Sequence, residues 1–489
     1  MTACAVLHVT SMPGGGVDRH IRDIVRACDR RHVVWHASES ADALETFSPR
    51  RFLPLASRWS DAGGEALAAW LRTQGIGIVH AHSVARAPRH RAAWAARALG
   101  TGMIATLHDV LFLREAALDP AAPRAPDRAW LAETAEFLRH ADARIAPSDY
   151  LAELAREHLP GFSIEVVPNG SPRRAPPLHP PAARPEFLAK RPRRVAVVLG
   201  AIGPHKGARV LEAAGERLAA RDTAIVVIGY LDAQAGPGWR NAGLFVHGAY
   251  DDDAVAGLVA AYGAQLAVFP NQVPESFSYA LSDLWEAGIP ALVPPEGALG
   301  ERVGRHGGGW LLPAAFDAEA LVAALERLLA PASAAELATV RSNLSTRDAR
   351  RIPPLPAMAR TLEALYERYG LRPNEPVDPL AAPAQELLAT QLDGSLFRPE
   401  LARVADELAQ VRAAIAEERA AGQRHEAEAR RWIAKLEGDV KALQAEIQGE
   451  VQERRRLGEE NAHLAIHKAA FDLLPKFVRA WLLKKVAGA

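Results

Sequence analysis

The 489 residues carry 58 Lys and Arg against 58 Asp and Glu, a formal net charge of zero, with 49% apolar and 24% charged residues. That length exceeds one compact core, so two or three domains are expected, and the balanced charge calls for no nucleic acid. Cys4 and Cys28 give neither a disulfide framework nor metal-ligand spacing, no basic segment precedes the apolar start at 3–9, and no stretch approaches the ~18–20 apolar residues that cross a bilayer. The expected location is cytoplasmic, with any membrane contact peripheral.

In chain order, residues 5–9 read as a buried strand, and 17–28 repeats apolar residues at helical spacing. Further strands are predicted at 32–36, 76–80, 103–107, 143–146 and 164–168, with helices between several of them, which implies a mostly parallel α/β sheet. The stretch 171–194, rich in Pro, Ala and Arg, lacks periodicity and reads as a linker. A second series follows, with strands predicted at 195–199, 224–228, 244–247, 266–269 and 291–293 and amphipathic helices at 208–220 and 317–329. Two doubly wound domains in tandem place a cleft between them, with ligands at the carboxyl ends of the strands. The expected boundaries are 1–172, a linker 173–193, 194–350, and a helix at 351–370 crossing back to the first domain. A second linker spans 371–399. Over 400–464, Leu401, Val404, Leu408, Val411 and Ile415, then Ile433, Leu436, Val440, Leu443 and Ile447, follow a heptad broken near Gly422, a coiled-coil pattern.

The most specific segment is PNQVPESFSYALSDLWEAGIPAL, from Pro270 to Leu292. Glu275 and Asp283 stand eight positions apart, which on a helix places them two turns apart on one face. Ser276 and Ser278, small residues beside Glu275, can open a helix N-terminus toward a phosphate. A carboxylate binds paired hydroxyls well, so one acid can hold a sugar and the other a ribose. At the start of the second domain, GAIGPHKG puts Lys206 and Gly207 just ahead of a helix, where a cation and free N–H groups make a diphosphate site. In the first domain, Gly15 and Gly16 lie in SMPGGGVDRH, a loop that lets backbone approach a ligand. Arg19 occupies the position where a dinucleotide fingerprint needs its last glycine.

The segment around Glu275 resembles the signature of the large group-1 family of retaining glycosyltransferases, in which two glutamates flank seven residues and a Gly-x-Pro follows. Glu275, Phe277, Gly288 and Pro290 match, and Asp283 replaces the second glutamate. The resemblance implies the GT-B fold, two Rossmann-like domains facing a cleft, to which the helical extension is added. It implies that Glu275 contacts the transferred sugar and Asp283 the ribose. Lys206 and Gly207 resemble the family's Gly-Arg-x5-Lys-Gly diphosphate site, in which the Arg position is here Ala201. Gly15 and Gly16 map to a loop facing donor phosphate and acceptor. TLHDV sets His108 beside sugar and acceptor, with Asp109 to orient it or meet the acceptor hydroxyl; VHAHS and VVPNGS are lesser matches.

The expected function is retaining hexosyl transfer from a nucleotide-diphosphate sugar to a growing glycan or lipid-linked acceptor in bacterial surface-polysaccharide synthesis, with no cofactor and no metal site. Two alternatives remain: a catalytically weak scaffold assembling through its coiled coil, and a nicotinamide-dependent enzyme. The coiled coil predicts a homo-oligomer. At 471–489, Phe477, Val478, Trp481 and Leu482 gather on one face, with Lys476, Arg479 and Lys484 largely off it. Such a helix suits the surface of an anionic membrane on the cytoplasmic side.

Overall fold

The computed structural model describes residues 4–370, apart from 12–13, 40–41, 48–49, 56–63, 123–124, 174–181, 191, 232–236, 346–347 and 349–350. The predicted linker 371–399, coiled coil 400–464 and tail 471–489 lie outside the described residues.

The first domain is wound on eight strands: β1 (Ala5–Thr10), β2 (His32–Ala37), β3 (Asp42–Phe47), β4 (Arg50–Leu55), β5 (Ile76–Ala81), β6 (Gly102–Thr106), β7 (Ala143–Ala146) and β8 (Glu165–Val166). Their spatial order is β4-β3-β2-β1-β5-β6-β7-β8. All pairs are parallel except β2–β3 and β3–β4, an antiparallel meander at one edge. That meander was not expected from the sequence. Its strands carry charges that hide the pattern: buried Asp42 meets Arg91 at 3.1 Å, and buried Glu45 meets His36 at 3.2 Å.

The second domain has seven strands: β9 (Arg194–Ile202), β10 (Thr223–Leu231), β11 (Gly238–Asn241), β12 (Leu244–Gly248), β13 (Leu266–Val268), β14 (Ala291–Val293) and β15 (Gly309–Leu311). They lie in the order β11-β12-β10-β9-β13-β14-β15, with only β11 antiparallel. The short edge strands β11 and β15 escaped the sequence reading, as did a helix at Pro185–Lys190 inside the expected linker. Central strands here are apolar on both faces, as buried parallel strands must be. On β9, Val195, Val197 and Leu199 enter one core while Ala196, Val198 and Ile202 enter the other.

The helix Leu355–Tyr369 packs on the first domain. Its Leu362, Leu365 and Tyr366 join Val6, Ile78, Ile104 and Ile145 in one cluster. Pro354 bridges to Ser171, and the Leu355 amide donates to the Ser171 carbonyl at 3.2 Å. Gly170 is needed at this crossing, since a Cβ there would lie 2.5 Å from the Leu355 Cα. In each sheet the strand order reverses beside the first strand, at β1/β5 and β9/β13. Loops leaving these carboxyl ends are where such folds bind ligands.

Candidate functional site

In the second domain two loops are zipped together. The Gln272 and Val273 amides donate to the His205 carbonyl at 2.8 and 3.2 Å. Gly207, in the left-handed region at φ 81°, presses on the next strand's exit so closely that a Cβ would sit 2.0 Å from the Pro270 oxygen. This packing brings Lys206 Nζ to 3.2 Å from Glu275 Oε1, and Asn271 Nδ2 donates to the same oxygen at 3.0 Å. Lys206 is one-third exposed and Glu275 one-fifth, so both face the cleft.

The helix Gly297–His306 holds the backbone around Glu275. The Ala298 amide donates to the Glu275 carbonyl at 2.7 Å, and any Cβ on Gly297 would stand 2.9 Å from the Glu275 amide nitrogen. Arg302 of this helix is buried and donates to the Phe277 and Ser278 carbonyls, each at 2.9 Å. Burial without a carboxylate partner in contact pushes its guanidinium down to about 9. Ser278 adopts φ 71°, a conformation costing about 1–3 kcal/mol for a side-chain-bearing residue, and caps the helix Tyr279–Glu286 through the Leu281 amide. Because this helix starts at Tyr279, Glu275 is in the preceding loop. The expectation that Glu275 and Asp283 share a helix face is therefore corrected: the chain turns at Ser276–Ser278, where left-handed backbone breaks the 3.6-residue count.

Opposite, β1 runs into a glycine loop. Gly14 (φ 114°) and Gly15 (φ 71°) turn the chain into the helix Gly15–Ala27, and Gly16 faces the Tyr279 ring, with a Cβ 3.9 Å away. One turn on, Arg19 reaches across to the second domain. Its two terminal nitrogens donate to the two oxygens of Asp283 at 2.6 and 2.9 Å, and its guanidinium lies 4.2 Å over the Tyr279 ring. Asp283 raises the Arg19 pKa above its ordinary value, outweighing burial. Sequence reasoning missed this residue, noting it only as a break in a glycine pattern. The absent arginine at Ala201 was the available hint that a cation would come from elsewhere.

His108 follows β6, and its carbonyl accepts from the Ser276 hydroxyl across the cleft. Its ring ends a chain of imidazoles: His32 Nδ1 to His8 Nε2 at 2.9 Å, His8 Nδ1 to His82 Nε2 at 2.9 Å, His82 Nδ1 to His108 Nε2 at 3.0 Å. Burial lowers the pKa of His8, His82 and His108 well below the ordinary value and takes His32 to about 4 and His20 to about 3, so these rings are neutral. Asp109 does not act on the His108 ring by any contact seen among the described residues. Its Oδ1 accepts from the Leu111 amide at 2.9 Å, capping a short turn, and burial pushes it up to about 6.

The structure thus brings Gly16, His108, Lys206, Glu275, Ser276, Tyr279 and Asp283 to the facing loop ends, while Phe277 turns inward under Arg302. Residues 14–172 match the model of Glycosyltransferase Family 4. Among solved structures, the chain is similar to sucrose-phosphate synthase from Thermosynechococcus elongatus, with 16% identity, 75% of this chain and 98% of that chain covered, and a TM-score of 0.55. It is similar to HepE of Anabaena, solved with UDP and glucose, at 15% identity, 75% and 100% coverage and a TM-score of 0.54. A glycosyltransferase from Rickettsia africae aligns at 14% identity over 76% and 99% of the chains, with a TM-score of 0.50. No curated protein matches the chain by sequence. Two Rossmann-like domains in this order give the chain the GT-B fold of these structures, and residues 14–172 match the Glycosyltransferase Family 4 model.

Proposed function

We propose that the protein transfers a hexose, with retention at the anomeric carbon, from a nucleotide-diphosphate sugar to a growing glycan or lipid-linked acceptor of a bacterial cell surface. The observation that carries this reading is the Lys206–Glu275 pair in the cleft beside the His108 backbone. A cation suits a diphosphate and a carboxylate suits sugar hydroxyls. Without a donor the two neutralise one another; a donor would part them and use both. In the proposed reaction the bond from the anomeric carbon to the diphosphate oxygen breaks as the acceptor oxygen bonds to that carbon from the same side. The acceptor proton passes to the departing diphosphate, so catalysis rests on positioning and on stabilising the leaving group. The UDP and glucose bound to HepE support a nucleotide-sugar donor.

Asp283 is the proposed ribose ligand, and Arg19 holds it in the donor-free state. Parting that pair would turn the Arg19 terminal nitrogens to other partners while its Nε stays 3.6 Å from Asp252, and Ala201 stands where the family's pattern has an arginine. These two departures equally favour a second reading, a catalytically weak GT-B scaffold assembled through the coiled coil. Incubating the full chain with UDP-, GDP- and dTDP-hexoses and measuring nucleoside diphosphate release separates the readings: release that Glu275→Ala cuts by at least about 100-fold supports the enzyme, and binding without turnover for every donor supports the scaffold.

The extension belongs to the proposal on sequence grounds. The heptad pattern of the sequence over 400–464 supports a homo-oligomer, and the basic and apolar residues of 471–489 support contact with an anionic membrane, where a lipid-linked acceptor would lie. Equal mass per particle for the full chain and a truncation after Gly370, each at its monomer value, would remove the oligomer. Failure of the full chain to sediment with anionic vesicles at low salt would remove the membrane contact.

A further inference from the structure

Spacing along the sequence offers no metal ligands, yet the fold gathers histidines from three separate elements of the first domain. His20 comes from the helix Gly15–Ala27, His82 follows β5, and His108 follows β6. One ring nitrogen from each lies within 4.8 Å of the others. We propose that His20, His82 and His108 form a site for one divalent transition-metal ion, zinc above all, at the cleft edge of the first domain.

The neighbouring trio His8, His80 and His82 meets the same distance limit but is already satisfied. His80 contacts the Tyr366 hydroxyl at 2.8 Å and the Thr106 hydroxyl at 2.7 Å, and His8 is bonded at both nitrogens. The outer trio differs. His20 Nε2 is buried with no hydrogen-bond partner among the described residues, while its Nδ1 lies 3.4 Å from the Tyr279 hydroxyl. A buried polar atom left without a partner calls for a reason. With the proton on Nδ1, directed at Tyr279, Nε2 presents a lone pair. A ligating imidazole typically has such an outer partner at its other nitrogen.

His82 Nδ1 and His108 Nε2 stand 3.0 Å apart. Two imidazole nitrogens on a tetrahedral zinc, each at about 2.05 Å, are separated by about 3.3 Å, so a few tenths of an ångström of opening replaces their hydrogen bond by two metal bonds. The lone pair needed at His82 Nδ1 is present when its Nε2 carries the proton and donates to His8 Nδ1. Imidazole binds metal in its neutral form. Three imidazoles with a fourth position for water or a substrate oxygen suit zinc, copper or nickel, and not magnesium or calcium, which take oxygen ligands.

The test uses the full chain stripped with a chelator. Titration with zinc against a competing chromophoric chelator should show one tight site per chain, and cobalt in its place should give the intense visible absorption of a four-coordinate ion. His20→Gln and His108→Gln should each weaken zinc binding at least about 100-fold, and Tyr279→Phe, which removes only the outer partner, by about 10-fold. X-ray absorption at the zinc edge on the wild-type protein counts imidazole ligands without relying on any variant, and three are expected. No stoichiometric binding, a six-coordinate cobalt spectrum, or undiminished affinity in folded His20→Gln and His108→Gln proteins would overturn the site.

Discussion

The two domains repeat one architecture with opposite interiors. In the second, the central strands β9 and β13 bury Val, Ile, Leu and Ala on both faces, and the chemistry is confined to loops at their ends. In the first, the equivalent strands β1 and β5 place His8 and His80 at zero exposure in the middle of the sheet, partnered across it by His82, Thr106 and Tyr366. A hydrophobic core needs no imidazoles, and a buried polar group gains little net stability even when fully bonded. The second domain is thus a stiff platform for the loops that carry Lys206 and Glu275, and the first carries its polar network to the edge of the cleft.

The comparison breaks first at Glu275. If the second domain is only a platform, its loop carboxylate can be removed without harm to the core. Glu275→Ala should cut sugar transfer by about 10²–10³-fold, the usual effect of losing one electrostatic contact to the reacting groups, and leave the unfolding midpoint within experimental error. Steady-state kinetics beside urea denaturation checks both; full turnover in a folded variant sinks the assignment.

Arg19 joins the two domains, so its loss should be felt as stability. Asp283 has a side-chain exposure of 3% and receives a bidentate guanidinium. Leaving that carboxylate buried and less well paired should destabilise by about 3 kcal/mol. The double variant Arg19→Ala/Asp283→Ala should recover part of this, since both charges leave together. Simple additivity in urea unfolding would show that the pair does not couple the domains.

A smaller effect sharpens the contrast between interiors. His32 is depressed from 6.5 to about 4 by burial. A folded-state pKa below the unfolded one means the native state binds fewer protons, so its contribution is complete above pH 6.5 and is lost as pH falls from 6.5 to about 4. That loss is on the order of 3 kcal/mol for this group over the whole range. Amide exchange, corrected for intrinsic rates, should show protection in β1 and β5 falling between pH 7 and 5 relative to β9 and β13. Equal change in both sheets would contradict it.

These differences explain which features the sequence showed. Glu275 and Lys206 sit in short strings whose chemistry is local, and the central strands are unbroken apolar runs, so both could be read directly. The β3–β4 meander was hidden because Asp42 and Glu45 are buried by partners, Arg91 and His36, distant in sequence or on a neighbouring strand. The Arg19–Asp283 pair spans 264 positions, and the histidine chain joins β1, β2, β5 and β6. No periodicity encodes contacts that exist only once the strands are ordered.

The smallest expected effect concerns Lys206. Its ammonium is one-third exposed and lies on a flexible stem, so water screens it and only a modest contribution to the proposed donor binding is expected. Lys206→Ala should weaken binding of a nucleoside diphosphate by about 10-fold, the low end for a charge-assisted contact. The matching nucleoside, which lacks the phosphates, should bind both proteins alike. The substitution also leaves Glu275 with Asn271 as its described partner, so the sugar contact persists and residual transfer is expected. Calorimetric titration of wild type and variant with diphosphate and nucleoside measures the difference directly. Equal loss for both ligands would mean that Lys206 shapes the loop and does not meet phosphate, and would move the diphosphate site toward the glycine loop and Arg19.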